Sequence, residues 1–174
     1  IDIKGPTGQT DAVEALRLRI FPNNSVGLWL WSINNDQDTL SFGGRAELSV
    51  NAGELGLTYH WDQSTLPQSI GQLPVYLENA HQRIAFDYRY DGFIGLWLET
   101  AGILSNSKSN ALPNRYTLFT LGSDYTIPIG PGLLVMVENM NVREFSTVSD
   151  RAKTYNYTAF MASVPINMLV QLMF

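Results

Sequence analysis

The chain has 174 residues, with 11 Lys and Arg against 16 Asp and Glu, a net charge of −5 and no cysteine. A modestly acidic chain without a basic stripe lacks the electrostatic footprint of a nucleic-acid binder, and the missing thiols exclude disulfides and thiolate metal sites. At 45% apolar the composition supports a folded domain. Its longest apolar runs, such as Gly132–Val137, fall far short of the roughly 20 residues a membrane-spanning helix needs.

In chain order, nearly every segment carries the two-residue period of a β-strand, whose successive side chains point to opposite faces. Leu16, Leu18 and Ile20 alternate with Arg17 and Arg19, and the run 25–33 is rich in strand formers. From Leu40 to Ala52, the apolar Leu40, Phe42, Ala46, Leu48 and Val50 are interleaved with Ser41, Arg45, Glu47, Ser49 and Asn51. Leu55, Leu57 and Tyr59 continue the pattern. Ile84, Phe86 and Tyr88 alternate with Arg83, Asp87 and Arg89; Ile94, Leu96 and Leu98 with Gly95, Trp97 and Glu99; Phe119 and Leu121 with Thr120, Gly122 and Asp124. Segments near 132–143, 155–164 and 167–174 complete about ten strands in one all-β domain spanning 1–174, with no helix.

Two turns test the register. Gly53-Glu54 suits a two-residue hairpin that pairs Ala52 with Leu55, and a three-residue loop Tyr90-Asp91-Gly92 pairs Arg89 with Phe93. Each choice keeps the apolar set on one face. Short connections at 21–24, 53–54, 91–92, 127–132 and 165–167 alternate with long polar ones at 62–81, 105–115 and 144–154 and a shorter one at 34–38. That asymmetry is the one expected of an outer-membrane barrel.

The polar face decides which side is wet. All three lysines (Lys4, Lys108 and Lys153) fall outside the predicted strands, whereas most arginines fall within them or at their ends. A soluble barrel needs scattered Lys and Glu on its outer face. Here Arg17, Arg19, Arg45, Arg83 and Arg89 face Glu47, Asp87, Glu99 and Asp124 among Gly, Ser and Thr, as suits a hydrated lumen where guanidinium forks pair with carboxylates. The leucine-rich face is left for lipid. Tyr59, Trp61, Tyr88, Tyr90, Tyr125, Tyr155 and Tyr157 near strand ends fit interfacial girdles. A strand of about 13 residues at about 3.3 Å each spans about 43 Å, enough to cross a bilayer on a tilt. The competing folds are a soluble calycin-type barrel, which would bury the same leucines, and a β-sandwich or solenoid.

With these strands and the ending NMLVQLMF, in which Met168, Val170, Leu172 and Phe174 alternate, the chain resembles a bacterial outer-membrane porin-type β-barrel. The resemblance is to a class and covers the whole chain. It implies an antiparallel up-and-down transmembrane barrel in the outer membrane that passes small hydrophilic solutes or ions, with outer-membrane lipid around it and no enzymatic activity. The strand count places both termini on the long-loop side, where porins have them on the other. An Ile1 start fits a processed or partial chain, so flanking strands, a second copy or another protein chain are expected to complete a conducting pore. The alternative is an adaptor barrel with a plugged lumen that binds partner proteins through its long loops.

Other chemistry is weakly signalled. His60 stands near Asp62 and Ser64, but its parity makes it a rim residue of the polar face rather than a catalytic base. Two histidines without a carboxylate set predict no metal site, and the GPTGQ segment lacks the lysine of a phosphate loop, so no cofactor is expected. Glu47 with Arg45, and Asp87 with Arg83 and Arg89, are expected as ion pairs that stiffen the wall and bias passage by charge.

Overall fold

The computed structural model describes residues 14–35, 38–64, 68–69, 75–77, 79–106, 113–146, 152–165 and 171–173. They form strands β1 (Glu14–Asn23), β2 (Val26–Asn34), β3 (Leu40–Val50), β4 (Gly53–Asp62), β5 (Gln68–Ser69), β6 (Tyr76–Leu77), β7 (His81–Asp91), β8 (Gly95–Ser105), β9 (Arg115–Ile127), β10 (Leu133–Phe145), β11 (Lys153–Pro165) and β12 (Gln171–Met173). No helix occurs among the described residues. β5 and β6 pair only with each other; the other ten make one antiparallel sheet in which chain neighbours are sheet neighbours. β9, β10 and β11 reach 13 residues, while the strand from Leu40 stops at Val50 after 11. Lys153 opens β11 instead of lying outside the strands.

The turns sit elsewhere than their glycines suggest. β3 pairs with β4 through Val50–Gly53, so the two-residue turn is Asn51-Ala52, with Asn51 in the left-handed region at φ 47°. Asparagine tolerates that conformation because its amide bonds locally. The expected pairing of Ala52 with Leu55 becomes Leu48 with Leu55. The β7–β8 loop does have three residues, but they are 92–94, closing Asp91 against Gly95. Both displacements are even, so every side chain keeps its face. Between β9 and β10, Gly130 (φ 59°) and Gly132 (φ 101°) adopt backbone conformations that a Cβ disfavours. Of the turn expected at 165–167, Pro165 belongs to β11 and 166–167 lie outside the described residues, as do the GPTGQ segment, Lys4, Lys108, Met168, Val170 and Phe174; Leu172 falls in β12.

The register sorts side chains into two faces. One cross-strand row runs Leu28, Ala46, Leu57, Phe86, Thr100 and Phe119, and its large members are exposed, Leu57 at 52%. The neighbouring row on the other face runs Arg19, Trp29, Arg45, Thr58, Ala85, Ala101, Leu118, Val142 and Tyr155, with Val142 at 0%. This inverts a soluble protein, in which the apolar face is the covered one. Tyr59, Trp61, Tyr88, Tyr90 and Tyr125 share the apolar face, and Trp61 packs edge-on against Phe42 with ring centroids 5.1 Å apart. Tyr155 and Tyr157 do not: their register partners Val142 and Met140 put them on the polar face.

The buried apolar cluster lies on the polar face, near the long connections. Val75 and Leu77, from the connection between β4 and β7, pack with Ile103, Tyr116 and Val142, flanked by Leu118, Met140 and Tyr155. The sheet is open in the structure. β1 and β12 are its edges, they do not pair with each other among the described residues, and all ten residues of β1 are exposed. The expected closure into a barrel is thus not formed by these strands alone. β12 covers only Ser163–Pro165 of β11, so the edge from Lys153 to Ala162 has no described neighbour.

Candidate functional site

All nine charged residues singled out from the sequence fall on the polar face. Arg17 and Arg19 pair across β1–β2 with Trp31 and Trp29, Glu47 and Asp87 flank Gly56, Glu99 follows Asp87, Asp124 lies opposite Gly95, and Arg83 and Arg89 are in register with His60 and Glu54.

Arg45 is the hub. Its guanidinium donates from Nη1 and Nη2 to the two carboxylate oxygens of Asp87 (2.6 and 2.8 Å), from Nε to Glu47 Oε1 (2.8 Å) and from Nη1 to Thr58 Oγ1 (3.0 Å). A planar fork suits this bidentate task, and lysine would not reproduce it. The contact crosses over β4, where Gly56 supplies no side chain to block it. The partner of Asp87 is therefore Arg45, not Arg83 or Arg89. Arg83 Nε instead donates to His81 Nε2 (2.8 Å), and Arg89 pairs with Asp91 (2.8 Å) at the exposed end of β7. Arg45→Met is expected to cost about 1–3 kcal/mol in chemical unfolding, since it strands two carboxylates that are only 20% and 30% exposed. Asp87→Asn in the same chain should recover part of that loss. A cost within experimental noise would mean that the hub does not hold the wall.

Arg17 and Arg19 are braced differently. Their guanidinium carbons lie 3.9 and 4.0 Å from the Trp29 ring centroid, and Arg19 also covers Phe21 at 4.6 Å. Neither has a carboxylate partner among the described residues, so stacking fixes their direction while the charge stays available. Glu99 and Asp124 likewise carry no ion pair among the described residues. Two cavities open on this face. One, of about 480 Å³, lies between Arg45, Asp87, Glu99 and Thr120; the other, of about 410 Å³, is lined by Glu54, Arg89, Trp97 and Asp124.

Toward the long connections the face closes into a polar knot. Asp62 Oδ1 accepts from Ser41 Oγ (2.9 Å), from the Ser64 amide (2.9 Å) and from Asn35 Nδ2 (3.4 Å). Asp62 Oδ2 lies 3.9 Å from His81 Nε2. His81 Nδ1 donates to the Asn79 carbonyl (3.1 Å), which leaves Nε2 to accept from Arg83. His60 Nδ1 accepts from Trp31 Nε1 (3.0 Å), so this histidine is tied into the polar face. The Ser41 hydroxyl points to the Asp62 carboxylate rather than to an imidazole, unlike a nucleophile–base pair. No cluster of His, Asp and Glu suited to a metal ion occurs among the described residues.

The sequence reading missed Trp29, Trp31 and this knot, and gave Trp97 a face but no partner. Trp29 and Trp31 share the parity of Arg17 and Arg19 once the strands are paired, and Trp97 Nε1 donates to Glu138 Oε2 (3.0 Å) across β9. Glycines make the room: a Cβ at Gly43 would collide with the Trp31 ring and one at Gly122 with Trp97. The alternation of Trp29 and Trp31 with Leu28 and Leu30 was the available signal. Comparison with known proteins adds nothing to this geometry, since no family model, curated protein or solved structure matches the chain.

Proposed function

We propose that the chain is the wall, or most of the wall, of a β-barrel channel in the bacterial outer membrane, whose polar face lines a passage for small hydrophilic solutes or ions. The single observation that carries this reading is the inverted polarity of the sheet. Leu57, Leu18, Ile84 and Leu121 are more than half exposed on one face, while Arg45, Glu47 and Asp87 are tied together on the other. Water solvates such an apolar surface poorly, whereas acyl chains solvate it well, and the strand ladders satisfy the backbone away from the two edges of the sheet. The alternation of turns at 24–25, 51–52, 92–94 and 128–132 with longer connections supports the outer membrane.

Detergent-folded protein added to a planar lipid bilayer is expected to give discrete conductance steps, and liposomes carrying it should swell in small sugars. Protein that folds without detergent and inserts into no bilayer would end this reading. A second reading, an adaptor barrel with an occluded lumen and partner-binding loops, is favoured by the Val75 and Leu77 core lying on the polar face. Folded, membrane-inserted but electrically silent protein would select it.

A further inference from the structure

We infer that Met136, Met161 and Met173 form a binding site for a soft monovalent cation, Cu(I) or Ag(I), on the polar face near the short turns. The chain has five methionines, none of them before position 136. The four that are described all fall on the polar face: Met136 opposite Asp124 and Met161, Met140 opposite Thr120 and Tyr157, and Met173 opposite Ser163. Of these, only Met140 borders the buried apolar cluster, so packing accounts for Met140 and not for the other three. The oily surface does not account for them either. It lies on the opposite side of the same strands, where Val137 and Phe160 are exposed.

Met136 and Met161 are direct cross-strand partners, a relation that sets Cβ atoms about 5 Å apart, and Met173 stands diagonally to Met161 at about 7–8 Å. Three rotatable bonds in each side chain let the sulfurs of such neighbours converge on one ion. Met136 also lines the cavity of about 410 Å³, together with Glu54, Asp87, Glu99 and Asp124. The arginine among its lining residues, Arg89, is engaged by Asp91. The Asp124 carboxylate leans over Gly95 and makes no hydrogen bond or ion pair among the described residues. Carboxylates so placed concentrate cations of every kind. The thioethers select among them: soft sulfur suits Cu(I) and its congener Ag(I), whereas Mg²⁺ and Ca²⁺ take oxygen ligands. With no cysteine in the chain, methionine is its only sulfur ligand.

The probe is silver nitrate, a soft ion that needs no reductant, added to the detergent-folded full chain in chloride-free buffer. Titration calorimetry is expected to show saturable Ag(I) binding that excess Na⁺ or Mg²⁺ does not displace. With ¹³C-methyl methionine, the signals of Met136, Met161 and Met173 should shift, while Met140, four residues along β10 and about 13 Å away, should not. Leucine conserves the volume of methionine, so Met136→Leu and Met161→Leu are expected to fold and to lose only the sulfur. Each should weaken Ag(I) binding by about tenfold or more, since even residues that merely support a metal's ligands are worth that much. Met140→Leu should bind as the native chain does. Native affinity in the double Met136→Leu, Met161→Leu protein overturns the inference, as does folded native protein that binds no Ag(I) saturably. Displacement of Ag(I) by Na⁺ also overturns it, because the carboxylates alone would then be the site. The site uses the face proposed to line the passage, but its readout is separate: Ag(I) binding without conductance removes the channel and leaves the site.

Discussion

Arginine in place of Leu57 is expected to destabilise the membrane-inserted protein by about 2–4 kcal/mol, read from denaturant titration in phosphatidylcholine vesicles. Leu57 sits between Ala46 and Phe86 in the middle of β4, 52% exposed, where a guanidinium would have to shed water or drag it into the acyl chains. The size of the outcome discriminates sharply. On a water-facing surface the same change would fall within about ±0.5 kcal/mol, as exposed substitutions usually do. Ser49→Arg, one residue from the turn on the polar face, is the matched control and should be tolerated. A neutral Leu57→Arg would remove the bilayer from the account of this sheet.

Leu77→Ala is the second large effect, with a local loss of about 2–5 kcal/mol expected from truncating a leucine that is 1% exposed. Its packing partners Ile103, Tyr116 and Val142 belong to β8, β9 and β10, so the lost contact frees the β5–β6 segment from the wall without breaking any ladder of the large sheet. The expected signature is faster amide exchange at 75–77 with the strands still protected. Because Val75 and Leu77 pack on the polar face, single-channel conductance should rise if that face lines the proposed passage. Unchanged conductance with faster exchange would mean that the segment does not obstruct the passage.

The all-β class, the sheet order and the division of residues between faces were legible because they depend on parity alone. Mislocating the turns by two residues at Ala52 and at Tyr90 changed which residues pair but moved none to the wrong face. Partners two strands apart were not legible. Whether Asp87 meets Arg45 or Arg83 depends on lateral reach over Gly56, which no linear pattern encodes. Tyr155 and Tyr157 were misassigned because aromatic residues near a strand end suit more than a lipid interface: Tyr155 borders the buried cluster, and Tyr157 is exposed on the polar face. The packing of Val75 and Leu77 was not legible either: they lie in the connection between β4 and β7, and their place shows only where it packs on β8, β9 and β10.

The pairs Gly43 with Trp31, Gly122 with Trp97 and Gly56 with the Arg45–Asp87 fork have an evolutionary corollary. Each glycine leaves room for bulky neighbours, so its position and theirs cannot drift independently. A descendant that acquires alanine at 122 must shrink the ring at 97 in the same lineage, whereas a methyl group at 43 would meet the Tyr59 carbonyl as well as the indole at 31, so loss of that ring alone does not free the position. Mutational tolerance along this wall is therefore inherited in couples rather than site by site.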